Sequence, residues 1–198
     1  MLFFGRAGCV SCHAVSGESN EMFSDFQMHV VGVPQVAPGF GLGLGNVIFD
    51  GVGEDEDFGL EQITGDPAHR YRFRSSPLRN AVLQPAFFHN GAFTRIEDAI
   101  RHHLDVRESV RRYDPVAAGV ATDLTHRLGP MTQVLVRLDP LLTEPVEPRR
   151  HEFEDLVHFV RDALLDPRAR PDAPYGLAPP AVPSGRPVLT FEGCRMDP

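Results

Sequence analysis

The chain has 198 residues, with 27 acidic against 19 basic side chains and a formal net charge of −8. This acidity argues against nucleic acid or an anionic membrane surface as the main partner. No run of about 18 apolar residues occurs, so we expect no membrane span, and no signal peptide is recognisable. The length suffices for one domain with a hydrophobic core, and 18 glycines and 18 prolines indicate helices joined by long loops.

The first motif, C-V-S-C-H, covers residues 9–13. Cys9 and Cys12 are spaced to form thioether bonds to the two vinyl groups of a haem, and His13 can then bind the iron. A thioredoxin-like redox pair is the first alternative, but only eight residues precede Cys9, too few for a βαβ unit. A zinc site is the second, but it needs two more close ligands, and Cys194 is distant. We therefore expect one covalent haem c.

Residues 17–92 form a long connection with few helical patterns. It contains a glycine-rich stretch at 39–45 and the acidic run at 54–57. A loop of this length is unusual in a compact domain unless something organises it. The large apolar faces of a haem would do so, and we expect this segment to wrap around the cofactor.

A helix is predicted over residues 94–105. Thr94 followed by Glu97 is typical of a capping box, and apolar residues then recur at helical spacing. His103 lies on the apolar face of this helix, whereas His102 is expected to face solvent. An electron-transfer haem needs a second axial ligand, and His103 is the favoured candidate; a hydrogen-bonded core histidine is the structural alternative. Met131 is the main alternative ligand.

Two further helices are predicted, over residues 152–165 and, with a weaker pattern, over 131–142, where Asp139-Pro140 interrupts the pattern. Proline and glycine dominate from residue 167 onward. The fold is predicted to be mainly α: a cytochrome c-like helical domain over residues 1–166 with long ordered loops around the haem. A proline-rich tail, extended or disordered, follows over 167–198.

Four blocks, in order over about residues 3–104, resemble the C-terminal haem domain of the bacterial di-haem cytochrome c peroxidases and of the related enzyme MauG. The blocks are F-G-R-A-G-C-V-S-C-H at 4–13, S-D-F-Q-M-H-V-V-G-V-P at 24–34, I-T-G-D at 63–66 with F-R-S-S-P-L-R-N at 73–80, and F-F-H-N-G-A-F at 87–93. The last block leads directly into the predicted helix that carries His103.

The resemblance implies roles for individual residues. His13 matches the proximal haem ligand, and the position of the distal ligand falls on His103. His89 matches a histidine of the haem pocket. Arg79 lies in a segment expected near the haem propionates, with a surface salt bridge as the alternative. The family's calcium-binding T-A-P segment reads Q-P-A at 84–86, which gives calcium little support.

The resemblance also implies a function: an electron-transfer domain of a peroxidase-like oxidoreductase. Electrons would come from a small redox protein and pass to a peroxidatic haem in a second haem domain or chain. The family's peroxidatic half is absent from this sequence, so we do not predict catalysis by this chain alone. The alternative is a free-standing mono-haem electron carrier or redox sensor. Because haem c attachment and export go together in bacteria, we expect a periplasmic or extracytoplasmic location.

Overall fold

The computed structural model describes residues 2–38, 56–170 and 183–186. This part of the chain is mainly helical, as predicted, and it contains a small two-stranded sheet. The α-helices are α1 (Glu61–Thr64), α2 (Ile96–Leu104), α3 (Val106–Arg111), α4 (Thr132–Val136) and α5 (Arg150–His158); the strands are β1 (Met28–His29) and β2 (Phe73–Arg74). The glycine-rich stretch, Cys194 and most of the predicted tail lie outside the described residues. No described helix is long and apolar enough to cross a membrane.

The long connection ahead of α2 is tied together by the two strands. β1 and β2 pair antiparallel, with His29 opposite Phe73. Just beyond β2, the Ser75 hydroxyl donates to the carbonyl of Cys12 at 3.2 Å, and the Ser24 hydroxyl donates to the carbonyl of Ser75 at 2.7 Å. These bonds join segments far apart in sequence, so the parts of the connection around Ser24 and Ser75 lie beside the cysteine motif.

Helix α2 is present where it was predicted, but it begins without the predicted capping box. Arg95 is its N-cap residue and makes no side-chain cap bond. The Thr94 hydroxyl instead donates to the carbonyl of Ala118 at 2.8 Å. Gly119, at φ +79°, approaches so closely that a Cβ there would lie 2.4 Å from the Thr94 hydroxyl oxygen. Because the Thr94 hydroxyl makes this tertiary contact, it does not cap the helix, and the prediction of a capping box with Glu97 is wrong.

Helix α2 is buried on two sides rather than one. Ile96 and Leu104 belong to the core cluster that contains α5, whereas Ala99 packs with Phe93 in a second cluster. A helix placed between two clusters buries more than the single apolar stripe that periodicity detects. The expectation that His102 faces solvent is therefore wrong, since its side chain is completely buried.

The predicted helix over residues 152–165 is confirmed as α5. It begins two residues earlier, at Arg150, and continues as a π-helical turn over Phe159–Ala163. The Glu152 carboxylate accepts a hydrogen bond from the backbone N–H of Arg149 at 2.8 Å. This bond satisfies one of the donors that a helix start leaves free.

The weaker prediction over residues 131–142 corresponds to two separate short elements. Helix α4 ends at Val136, and a 3₁₀ turn follows over Pro140–Leu142. Between them, the Asp139 side chain accepts from the backbone N–H of Leu141 at 3.0 Å. The predicted interruption at Asp139-Pro140 is confirmed, because the helix ends before these residues and the aspartate side chain caps a separate turn.

The N-terminal segment packs directly on the helical core. Phe3 is almost completely buried, and its ring centre lies 5.0 Å from that of Phe159 and 6.0 Å from that of Phe23. Cys9 packs against the edge of the same cluster. These contacts place the cysteine motif beside α2 and α5.

Candidate functional site

The cysteine motif forms a tight turn. Cys9–Ser11 is a 3₁₀ turn that follows Gly8 at φ +63°, and the backbone N–H of His13 donates to the carbonyl of Cys9 at 2.8 Å. Both thiols are free and half-buried. Burial raises the pKa of the Cys9 thiol to about 11 and that of the Cys12 thiol, which also lies near carboxylates, to about 12. At neutral pH both are therefore thiols rather than thiolates.

His13 is held in one tautomer by the loop that follows the motif. Its Nδ1 lies 3.0 Å from the carbonyl oxygen of Phe23. A carbonyl can only accept, so Nδ1 carries the proton and Nε2 keeps its lone pair. Burial, together with the neighbouring His103, lowers the pKa of His13 to about 4. The imidazole is neutral at pH 7, which is the form that binds metals.

His103 repeats this arrangement from helix α2. Its Nδ1 lies 2.8 Å from the carbonyl oxygen of Ala99, one turn earlier, so Nδ1 donates and Nε2 is the basic nitrogen. The Phe88 ring stacks on the imidazole, with ring centres 5.3 Å apart and planes inclined by 19°. Burial lowers the pKa of His103, so this ring is also neutral.

The two neutral imidazoles are spaced for one metal ion. The ring centres of His13 and His103 are 6.3 Å apart. Two imidazoles bound through Nε2 on opposite sides of one metal have ring centres roughly 6.4 Å apart, since each metal–nitrogen bond is about 2.0–2.1 Å. Within the described residues, neither Nε2 makes a hydrogen bond. This spacing would allow both Nε2 atoms to bind one metal ion.

Met131 lies in a different part of the structure. It precedes α4 and packs against the cluster of Val30, Tyr71 and Val134, which is separate from the core cluster around His13. The structure places the His103 ring beside the His13 ring and packs Met131 in the other cluster.

His89 also lies away from the histidine pair. Its Nε2 is 3.1 Å from a carboxylate oxygen of Asp57, and its ring stacks on Phe73 with centres 3.5 Å apart. Burial would raise the pKa of the Asp57 carboxyl, but the hydrogen bond and charge of His89 lower it below its ordinary value. His89 is therefore engaged with a carboxylate here, and its connection to the histidine pair runs through the adjacent Phe88.

Arg79 contacts Glu21 and Phe23, in the loop that holds His13. Its Nε donates to the carbonyl of Glu21 at 2.9 Å, and its guanidinium lies 5.6 Å from the centre of the Phe23 ring. The Glu21 carboxylate is 3.8 Å away. Because the Phe23 carbonyl holds His13, Arg79 borders the segment that fixes the His13 ring.

His29 forms a group that sequence reasoning missed. Its Nε2 is 2.9 Å from Asp25, its Nδ1 is 2.8 Å from Asp139, and the Cys12 sulfur is 3.8 Å from Nδ1. Burial alone would lower the pKa of His29, but the two carboxylates raise it above its usual value. The four-residue spacing of Asp25 and His29 could have been recognised in the sequence. Nothing in the sequence indicates that Asp139 lies close to them.

The same group contains donors for a divalent cation. Ligand atoms of Cys12, Asp25 and His29 lie within 4.8 Å of one another. Cys9 is not part of this group, so it does not complete the zinc site with both cysteines that was weighed from the sequence. Both ring nitrogens of His29 are already hydrogen-bonded to Asp25 and Asp139, however, so binding a cation through His29 would break one of these bonds.

A cleft of about 940 Å³ lies between α2, α3 and α5. Charged side chains of both signs line it, together with Phe93, Leu104 and Phe153. It includes none of the residues that the sequence assigned to the haem site.

No family model matches the chain. It is 31% identical over 111 residues to cytochrome-c peroxidase IdrP1 of Pseudomonas sp. (strain SCT), and 27% identical over 109 residues to IdrP2 of the same organism. The chain is a distant relative of the cytochrome c peroxidases. Each alignment covers 50% of this chain but only 28% of the relative, so the chain spans well under two thirds of the peroxidases that it matches.

Proposed function

We propose that the chain is a haem c electron-transfer domain of a cytochrome c peroxidase-like oxidoreductase. Cys9 and Cys12 would attach the haem, and His13 and His103 would ligate its iron. The observation that carries this proposal is the pair of neutral imidazoles with ring centres 6.3 Å apart, each fixed through Nδ1 to a backbone carbonyl. The relationship to the peroxidases supports it independently.

The protonation states suit thioether formation. Each bond forms when a thiol adds across a vinyl group: sulfur bonds to one vinyl carbon and the proton goes to the other. Cys9 and Cys12 are protonated at neutral pH because burial raises both pKa values. The haem brings the vinyl groups, so no oxidant is consumed.

The axial pair favours electron transfer over peroxide chemistry. When bound, haem supplies a one-electron couple. His13 and His103 would occupy both axial positions, which leaves no coordination site for hydrogen peroxide. A second imidazole also gives a lower potential than a methionine thioether would. The chain alone is therefore assigned electron transfer, with peroxide reduced in another domain or chain.

Arg79 and His89 are proposed to border the cofactor rather than to ligate it. Arg79 offers a guanidinium next to Phe23, on the His13 side, where it can neutralise a propionate. His89 adjoins Phe88, whose ring stacks on His103. Calcium has no part in this proposal.

The proposed partners follow from the same assignment. A small redox protein would donate electrons, and a second haem domain or chain would receive them. Covalent haem c attachment implies a periplasmic or extracytoplasmic location. The alternative, a free-standing mono-haem carrier or redox sensor, needs the same ligands but no second haem.

The test is expression of the chain in a cell with a c-type maturation system. Haem should stay attached through denaturation and acid–acetone extraction, and the ferric protein should be low-spin. Cys9→Ser/Cys12→Ser should release all haem. An unmodified mass in the wild-type chain, or one zinc ion per chain in place of haem, would contradict the proposal.

The electron-transfer role needs a second measurement. The reduced, haem-loaded chain should pass its electron to an acceptor haem protein while turning over no peroxide by itself. Rapid peroxide turnover by the isolated chain would place the peroxidatic site here instead. If the chain is instead a free-standing carrier, it should accept and pass on electrons at its full rate when no second haem domain is present.

A further inference from the structure

His102 is the most deeply buried histidine of the described residues, and both of its ring nitrogens have partners. Its side chain is 0% exposed. Nε2 lies 2.9 Å from the carbonyl oxygen of Val31, and Nδ1 lies 3.0 Å from the Ser109 hydroxyl. The carbonyl only accepts, so Nε2 donates to it and Nδ1 accepts from the hydroxyl. This fixes one neutral tautomer.

These two bonds join three segments of the chain. Val31 follows β1, His102 lies on α2 and Ser109 lies on α3. Gly32, next to Val31, lies so close to α3 that a Cβ there would be 2.3 Å from a methyl group of Val106. The His102 imidazole thus lies at a tight junction, where its shape and hydrogen bonds are both constrained.

Aromatic rings fix the imidazole from its sides. The ring centres of Phe88 and Phe93 lie 5.2 Å and 5.4 Å from that of His102. Phe88 also stacks on His103, so one ring contacts both histidines. A rotation of α2 that moved His102 would therefore disturb the packing of His103.

Adjacent residues of an α-helix project about 100° apart around its axis. Anchoring one side chain therefore fixes the direction of the next. We propose that His102 is a positioning residue, which sets the rotation of α2 so that the His103 imidazole faces His13. The inference rests on the proposed function, since it assigns His103 as the distal ligand. Nothing requires His102 itself to touch the cofactor.

Burial, with a smaller contribution from His103, lowers the pKa of His102 to about 3. The ring therefore stays neutral across the physiological range and keeps both hydrogen bonds. Among the described residues, its hydrogen-bond and ring partners are Val31, Ser109 and aromatic rings, and none of these is a carboxylate.

The test uses the full, haem-loaded chain and three substitutions. His102→Ala removes both hydrogen bonds, and His102→Gln offers an amide N–H that can still reach the Val31 carbonyl. His126→Ala replaces an exposed histidine and is the control. The readouts are covalent haem content, the ferric spin state and the rate of cyanide binding. Haem content reports on attachment, while spin state and cyanide report on the distal ligand.

His102→Ala should keep its covalent haem but become partly high-spin and bind cyanide roughly five- to tenfold faster, since loss of the anchoring bonds raises the fraction with the ligand released. His102→Gln should recover most of the low-spin signal, and His126→Ala should match the wild type. A low-spin His102→Ala with wild-type cyanide kinetics overturns the inference.

Ser109→Ala keeps the test decisive if His102→Ala does not fold. It removes one hydrogen bond only. Its effects on the ferric spin state and on the rate of cyanide binding should therefore be in the same direction as those of His102→Ala, but smaller. Wild-type behaviour of Ser109→Ala in that case overturns the inference. A wild-type chain that lacks covalent haem, or is fully high-spin, would instead be a failure of the proposed function.

Discussion

Two pairs of described histidines, His13 with His103 and His29 with His89, differ in what binds their ring nitrogens. His13 and His103 each donate one N–H to a backbone carbonyl, and the other nitrogen makes no hydrogen bond to any described residue. His29 and His89 are paired with carboxylates. A backbone carbonyl selects a neutral tautomer and leaves a lone pair for a metal, whereas carboxylates favour the imidazolium, which has none. The partner, not the residue type, separates candidate ligands from structural charges.

The largest expected effect separates the two pairs by spin state. In the haem-loaded chain, His103→Ala should open one axial position, convert the ferric haem to high spin and admit cyanide. His89→Ala should stay low-spin, because His89 pairs with Asp57 and stacks on Phe73. Electronic absorption and electron paramagnetic resonance measure both.

Met131→Ala is the control for this assignment. A high-spin Met131→Ala beside a low-spin His103→Ala would reverse the choice of ligand. If only His89→Ala became high-spin, the division into two pairs of histidines would be wrong.

The inward direction of His103 was within reach of sequence reasoning, while the burial of His102 and the side-chain partners were not. Periodicity placed His103 toward the core, and the structure puts its ring 6.3 Å from that of His13. The partners of His102 and His29 lie 71 and 110 residues away, at Val31 and Asp139. Contacts at such separation depend on how loops close, which local patterns do not encode.

Short elements were missed for a different reason. Helix α3 follows α2 after a single residue, Asp105, whose side chain accepts from the backbone N–H of Glu108 at 3.0 Å. This aspartate, with a glutamate three residues later, is a start signal that the sequence did contain. The two-residue strands carry no comparable signal, because alternation needs at least four residues to be recognised.

A large effect on stability is expected where the loop after β1 meets α3. Gly32→Ala combines a left-handed backbone, at φ +67°, with a Cβ 2.3 Å from Val106, so we expect a loss of about 2–5 kcal/mol. Gly17→Ala shares the backbone strain, at φ +72°, but meets no atom within 4 Å, so it should cost about 1–2 kcal/mol.

Urea unfolding of the haem-loaded chain measures this difference. Equal losses for the two alanine variants would show that the loop shifts to accommodate the methyl group. In that case the close approach at Gly32 would not be needed to position Val31.

Opposite pH dependences should distinguish neutral from ion-paired histidines. The pKa of His102 is lowered to about 3 from 6.5. Below pH 6.5 the unfolded chain takes up a proton on this histidine, whereas the folded chain does not. The contribution of His102 to the free energy of unfolding is therefore complete above pH 6.5. Between pH 6.5 and pH 3 it falls by about 1.4 kcal/mol per pH unit. The pKa of His29 is raised, so its contribution is full below 6.5 and is lost as pH rises through the raised value.

Unfolding free energies at several pH values test both signs. His102→Gln should flatten the acid side of the stability profile, and His29→Gln should flatten the neutral-to-alkaline side. An alkaline loss that persists in His29→Gln would contradict this expectation.

The smallest expected effect concerns Arg79. Its side chain is 37% exposed and pairs with Glu21, so Arg79→Ala should change stability by no more than about 1 kcal/mol. A positive charge near a haem propionate stabilises the ferrous state less than the ligands do, yet its removal should still lower the reduction potential measurably. Arg74, which lies 4.8 Å over the Phe26 ring, supplies the matched control. If Arg79→Ala and Arg74→Ala leave the potential equally unchanged, the guanidinium of Arg79 is only a surface ion pair, and the proximal side is fixed by the Phe23 carbonyl alone.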